Sequence, residues 1–323
     1  ALVSIIADLS AARRISGFPS FHAHCWCSEC KLTLDNAENL QFDTWPKRTY
    51  EEHVCHARSW RQASDGNMRE KLFNRHQVHW SEFLRLPYWD STRFITIDSM
   101  HGFYLGLFQH HICKIWGMDV RLREGEEKEL GIVSLSGHLK EANKGKSSRK
   151  ASPTVVLGHD VLKEIRKDIA SRVVPSHVGR APAHPREVSW GKFTTDQWKI
   201  FCTIHLPYTL TRLWGSLKDS QDLAEQRRYK MLQNFLHLVM AVKLATMTTQ
   251  NDRSIWLYES HMKMYLMTLL ELYPGTKISI YQHLSLHFGD QLRRFGPNQA
   301  WCCFAFERYN GALQKFNTNN KFG

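Results

Sequence analysis

Two cysteines stand three positions apart at Cys27 and Cys30, and two histidines stand four apart at His283 and His287. The first spacing lets two thiolates bind one tetrahedral zinc ion. The second puts two imidazoles on one face of a helix. A structural zinc needs two ligands beyond the cysteines. The nearby candidates are His22, His24 and Cys25; the distant ones are His283 and His287. A redox dithiol is the competing use of the cysteine pair, but no β-α pattern surrounds it. A pair of buried free thiols is the plain reading.

Three carboxylates stand where they could do metal chemistry. Asp8 ends the apolar run ALVSIIAD, and Asp98 ends the β-branched run RFITID. A carboxylate at the end of a rigid strand can hold a divalent cation, or simply cap the helix that follows. Asp98 is three residues before His101, so it could cap that helix and orient the imidazole. Glu307 is a single acid inside the aromatic stretch FAFERYN. A carboxylate buried there needs a metal or a counter-charge, and Arg308 next to it offers an ordinary ion pair.

The elements that would position these residues are legible from periodicity. Residues 1–8 and 93–98 predict strands, each ending in an Asp. Ala11–Ser16 predicts a short helix stopped at Gly17. Residues 20–60 are rich in Cys, His and Trp without clear periodicity, which predicts a small metal-braced insert. A charged helical pattern covers Tyr50 to about Phe73. Met100–Trp116 is apolar at helical spacing and Gly117 stops it. Further helices are predicted over Asp160–Arg172, Thr195–Trp214, Leu223–Met247 and Ser254–Leu272. In the last, Tyr258, Met262, Tyr265, Leu266, Leu269 and Tyr273 form one core face. The fold class expected is α+β, mostly helical.

The chain has 323 residues and is 42% hydrophobic and 23% charged, which excludes disorder and a need for disulfides. Its eight cysteines are therefore expected to be reduced. Apolar stretches are too short to cross a membrane. The start of the chain lacks a signal peptide's basic flank, and the absence of an initiator Met reads as a fragment. A net charge of +12 favours a polyanionic partner, DNA first. The segment GHLKEANKGKSSRKAS predicts a flexible linker. Its Lys140, Lys144, Lys146, Arg149 and Lys150 are candidate contacts to a nucleic-acid backbone; a solvated loop is the alternative.

Four segments together resemble a known family: ADLSAARRISGF, LPYWDSTRFITIDSMHGFYLGLFQHH, FCTIHLPYTLTRLWG and ISIYQHLSLHFGDQLRRFGPNQAWCCFAFERYNGALQKFNTN. They resemble transposases of the CACTA (En/Spm) superfamily, most of all the Plavaka-type elements of basidiomycete fungi. The resemblance implies an RNase H-like core whose acidic triad binds two Mg²⁺ or Mn²⁺ ions. It also implies a zinc-containing insert and a large helical insertion. Asp8 would be the second acid of the triad and Glu307 the last, with Asp98 and His101 as the family's Asp/Cys-x-x-His. Ser10 stands where the family has Pro. The spacing of the cysteine and histidine pairs is also similar to that of the catalytic subunit of the V(D)J recombinase. That similarity would make His283 and His287 the missing zinc ligands.

On this basis residues 1–20, 93–117 and 297–316 are expected to form a partial catalytic core, lacking its first strands. Residues 21–92 would form the zinc insert, 118–152 the charged linker and 153–296 the helical insertion. The resemblance implies metal-dependent DNA cleavage and strand transfer in the parent protein, in the nucleus, with self-association a further expectation. The fragment is expected to be inactive, because the first Asp would lie upstream of Ala1. A decayed or domesticated remnant that binds DNA or protein is the alternative. A zinc hydrolase using Cys27, Cys30 and a His around an open coordination position is a third reading.

Overall fold

The computed structural model describes residues 4–118, 156–175, 178–179, 181–182, 193–313 and 315. The charged linker and its five candidate DNA contacts, Lys140, Lys144, Lys146, Arg149 and Lys150, lie outside them. The described chain is mostly helical. Its helices are α1 (Leu9–Ile15), α2 (Tyr50–Arg61), α3 (Gly66–His76), α4 (His159–Ser171), α5 (Thr195–Ile200), α6 (Leu206–Trp214), α7 (Leu223–Ala245), α8 (Asp252–Leu272), α9 (Ile280–Ser285), α10 (Phe288–Phe295) and α11 (Phe304–Leu313). Wider π-helical turns run through Met100–Gln109, His111–Ile115 and Phe201–His205. No helix among the described residues is long and apolar enough to cross a membrane.

The two predicted strands are corrected by the structure. Ile5 and Ile95 do meet in parallel, but as a single bridge. The Ile5 N–H donates to the Phe94 carbonyl at 2.8 Å, and the Thr96 N–H donates to the Ile5 carbonyl at 3.1 Å. Beyond that point a side chain replaces the ladder. The Ile97 N–H donates to Gln291 Oε1 at 2.9 Å, and Gln291 Nε2 reaches the Ile95 carbonyl at 3.3 Å. With its next backbone groups paired to a glutamine, this segment does not extend the bridge into a ladder.

Contacts divide the chain into two units. The first holds Ala1–Phe103, Ala241–Lys263 and Lys277–Gly323; the second holds Tyr104–Met240 and Met264–Thr276. Residues 241–263 and 277–296, which the sequence groups with a helical insertion, thus cluster with the segments that carry Asp8 and Asp98.

In the first unit, Ile5, Ala12, Phe18, Val54, Ala57, Val78, Trp89 and Ile95 share one buried cluster. Removing such side chains from water is the main force that holds this loop-rich region together. The helix predicted over 50–73 is two helices. Asp65 caps the second by accepting the Met68 N–H at 2.8 Å, so the break at 62–65 is built, not frayed. Gly17 takes φ +86°, where a Cβ would also lie 2.5 Å from the His79 carbonyl oxygen. Glycine is what lets the chain turn after α1.

In the second unit, Trp116 packs on Phe235 with ring centroids 5.0 Å apart and donates its indole N–H to Tyr273 Oη at 2.6 Å. Asp168 on α4 joins α6 by accepting from Thr209 Oγ1 at 2.8 Å and from Arg212 Nη2 at 3.0 Å. The wide turn at Phe201–His205 lies just before Pro207. In an α-helix that ring would clash with the carbonyl four residues earlier, and a wider turn relieves the clash.

Candidate metal centre

The cysteine loop is shaped by backbone pairing before any metal enters. Cys30 pairs antiparallel with Lys47, Lys31 N–H donates to the Pro46 carbonyl, and Arg48 N–H donates to the Glu29 carbonyl. The Arg48 side chain completes the turn. Its Nε donates to the Cys27 carbonyl at 2.7 Å and its Nη2 to the Cys25 carbonyl at 2.6 Å. Both thiols are thereby fixed toward the interior.

The histidines come from the other end of the sequence. Ser279 and Gln282 form a reciprocal capping box that starts α9, which carries His283. The sequence predicts one helical face for both histidines; the helix is in fact interrupted after Ser285, and His287 precedes α10. Leu286 and His287 keep right-handed helical dihedrals through the break. The two imidazoles therefore still point the same way.

Cys27, Cys30, His283 and His287 form one buried group that could hold a metal ion. Cys27 Sγ is 3.5 Å from His287 Nε2, Cys30 Sγ is 3.4 Å from His283 Nε2, and the two Nε2 atoms are 3.4 Å apart. A tetrahedral ion with metal–sulfur and metal–nitrogen bonds of about 2.3 and 2.0 Å separates its ligands by roughly 3.3–3.7 Å. The four side chains fit that figure. Trp45 stacks on His283 at 4.5 Å with planes 2° apart, and Trp26 meets its edge at 4.8 Å. These indoles pack the His283 ring from its face and its edge.

The local rivals do not join the group. His24 faces Asp35, and the Cys25 carbonyl is taken by Arg48. His22 donates its backbone N–H to Ser20 Oγ. Four protein ligands leave no open position, which argues against a hydrolase centre here.

The electrostatics suit a thiolate site. Burial pushes the Cys27 thiol up, but Cys30, His287 and His283 more than offset it and hold Cys27 well below its ordinary value. Cys30 is raised by its hydrogen bond with Cys27, by burial and by the Cys27 charge. His287 is raised to about 9: burial opposes its charge, and Cys27 outweighs burial.

Behind the ligands, Glu29 in the cysteine loop accepts from Gln291 Nε2 at 2.6 Å and pairs with Arg294 Nη2 at 2.6 Å. Gln291 in turn holds residues 95 and 97, the segment that leads into Asp98. Neither Gln291 nor Glu29 was a sequence candidate, because neither a polar residue on a charged helix nor a single acid in a loop carries a local signal of such contacts.

Asp98 is buried and both its carboxylate oxygens accept hydrogen bonds. Oδ1 accepts the Cys303 N–H at 2.6 Å. Oδ2 accepts the His101 N–H at 2.9 Å and lies 2.7 Å from His101 Nδ1. Burial raises the Asp98 carboxylate, but the bonds from His101 and Cys303 outweigh it and hold it below its ordinary value. His101 is raised, first by its bond to Asp98 and further by the charges of Glu307 and Asp8. Both sequence-predicted acids thus act on the same imidazole. Asp8 also caps α1, accepting the Ala11 N–H at 2.9 Å. Glu307 is exposed on α11, a helix with no buried residue. Tyr281 is a group the sequence did not suggest: burial, Asp8 and Asp98 together push it up to about 12.

The chain matches no family model and no curated protein sequence.

Proposed function

We propose that this chain is a transposase-derived DNA-binding unit, with a structural zinc at Cys27, Cys30, His283 and His287. Its parent activity would be DNA strand cleavage and transfer assisted by Mg²⁺ or Mn²⁺. The observation that carries this reading is the meeting of two ligand pairs 253 and 260 residues apart. The similarity in spacing to the catalytic subunit of the V(D)J recombinase implies that meeting, the transposase resemblance supplies its cysteine pair, and a local metal knuckle would not produce it. Zinc suits the set because two thiolates and two imidazoles favour a tetrahedral, borderline-soft ion.

Asp8 and Glu307 are the residues that would hold the catalytic ions. When bound, such ions supply charge stabilisation for the attacking and leaving oxygens of a phosphodiester. Asp98 fixes the ring of His101 and favours its protonated form, which gives the acidic pair a cationic neighbour for a phosphate. The +12 chain attracts the DNA backbone without reading its sequence. A specific observation favours a second, non-enzymatic reading: Asp8 already has a structural task as a helix cap.

Affinity for a random-sequence duplex, measured in Ca²⁺ and in EDTA across a salt series, separates the two. The transposase reading expects a steep fall of affinity with salt. It also expects tighter binding in Ca²⁺, a gain that Asp8→Asn and Glu307→Gln each remove. Salt-sensitive binding indifferent to Ca²⁺ and to both substitutions leaves the non-enzymatic reading. Absence of binding at low salt overturns both DNA readings.

A further inference from the structure

Cys303 drew no notice in the sequence, yet it closes a second group of ligand types. Its Sγ, an Asp98 carboxylate oxygen and a His101 ring nitrogen all lie within 4.8 Å of one another. We propose that Asp98, His101 and Cys303 form a second metal site, one that takes a thiophilic divalent ion such as Zn²⁺ or Co²⁺ in preference to Mg²⁺. This goes beyond the DNA reading and does not depend on it; a bound ion would replace the His101 proton as the positive charge beside Asp8 and Glu307.

Three features of the structure carry the inference. First, the three groups are held in place by independent elements. Asp98 ends the segment that Gln291 holds, and His101 lies in the first turn of the π-helical run. Cys303 follows the turn Asn298–Trp301 and precedes α11. The bond from the Cys303 N–H to Asp98 Oδ1 ties the far segment to the near one across 205 residues. Second, the donor set is mixed. A carboxylate oxygen, an imidazole nitrogen and a sulfur suit zinc or cobalt, whereas magnesium prefers oxygen alone. Third, the access is graded. The side chain of Asp98 is 1% exposed, while that of His101 is 23% exposed. Three protein ligands with one partly exposed side leave a fourth position for solvent or an exogenous group, as in exchangeable zinc sites.

Asp98 Oδ2 and His101 Nδ1 lie 2.7 Å apart, a distance that calls for a proton between them. On binding, the ion takes over the imidazole nitrogen and the thiolate, and the proton of each leaves to solvent. No electron transfer is involved, so the step balances without a further reactant.

Cobalt reports the site directly, because a thiolate ligand adds a sulfur-to-cobalt charge-transfer band. The full chain is first loaded with one equivalent of zinc, which the four-ligand group takes up. It is then titrated with Co²⁺, and bound metal is counted after gel filtration. A second equivalent with a charge-transfer band is expected. Cys303→Ser should abolish the band and weaken cobalt binding at least tenfold. His101→Ala should weaken it similarly. Cys302→Ser, which changes the neighbouring thiol, should leave it intact. Retention of the first zinc equivalent shows that a variant is folded; if Cys303→Ser fails that check, His101→Ala decides the matter alone. Saturation at one metal per chain overturns the site. So does a second equivalent whose affinity ignores both Cys303→Ser and His101→Ala.

Discussion

Gln291 holds three partners on two segments with one amide. Its Nε2 serves Glu29 and the Ile95 carbonyl, and its Oε1 accepts the Ile97 N–H. Gln291→Ala leaves a buried N–H and a buried carbonyl without partners and loosens Glu29. Each orphaned buried group costs about 1–3 kcal/mol. A loss of roughly 2–4 kcal/mol in urea unfolding is therefore expected. Gln291→Glu should be nearly as damaging, because a carboxylate can accept from Ile97 but cannot donate to Glu29. A loss near zero in both variants would mean that water replaces the amide. The contacts of Gln291 lie 194, 196 and 262 residues away, so nothing near it in sequence reveals its role. The four candidate ligands differ in this respect. Cys27 with Cys30 and His283 with His287 each announce themselves through their own spacing. Which pair meets which was given only by resemblance, and Trp45, which stacks on His283, had no signal at all.

The same contrast holds for the elements. Long helices with an unbroken apolar face were legible: α8 begins two residues before the predicted start and ends at the predicted Leu272. The paired strands were not, because their shortness follows from a distant glutamine. The break between α9 and α10 also lacks a Gly or Pro to mark it. At six residues α9 is too short to be stable by itself, so its cap and its packing decide whether His283 is in place. Ser279→Ala removes the capping box and should cost about 1 kcal/mol. If α9 frays when metal-free, the same energy appears as a several-fold weaker zinc affinity, measured by competition with a chromophoric chelator. His283→Ala with His287→Ala should abolish the tightly bound equivalent. One full equivalent at unchanged affinity in that double variant would return the two histidines to packing roles.

At the scale of the whole molecule, each unit buries a neutral histidine. Burial, with Arg48 next, pushes His53 down to about 3; burial, with His110 next, does the same to His111. In the unfolded chain both bind a proton below about 6.5, while in the native state they stay neutral until near 3. Their contribution is therefore intact above pH 6.5 and is lost progressively as pH falls below it. Each histidine adds a slope of at most about 1.4 kcal/mol per pH unit. With the metal group saturated, the urea midpoint should fall between pH 7 and pH 5. His111→Phe keeps a ring in the cavity and should flatten that fall. A midpoint independent of pH over this range would show that the two histidines are protonated in the folded protein.

The distance along the chain between the two halves of the four-ligand group also sets an order of events during synthesis. When Cys30 leaves the ribosome, its partners His283 and His287 do not yet exist. At about 5–20 residues per second, roughly 10–50 s pass before they emerge. Throughout that interval the thiol pair is exposed to oxidants and to stray metal. The backbone pairing of residues 29–31 with 46–48 needs only residues already made by then. Any product truncated ahead of His283 keeps its thiols but has nothing with which to complete the ion's shell. An ion that needs all four side chains can therefore be held only after residue 287 has emerged.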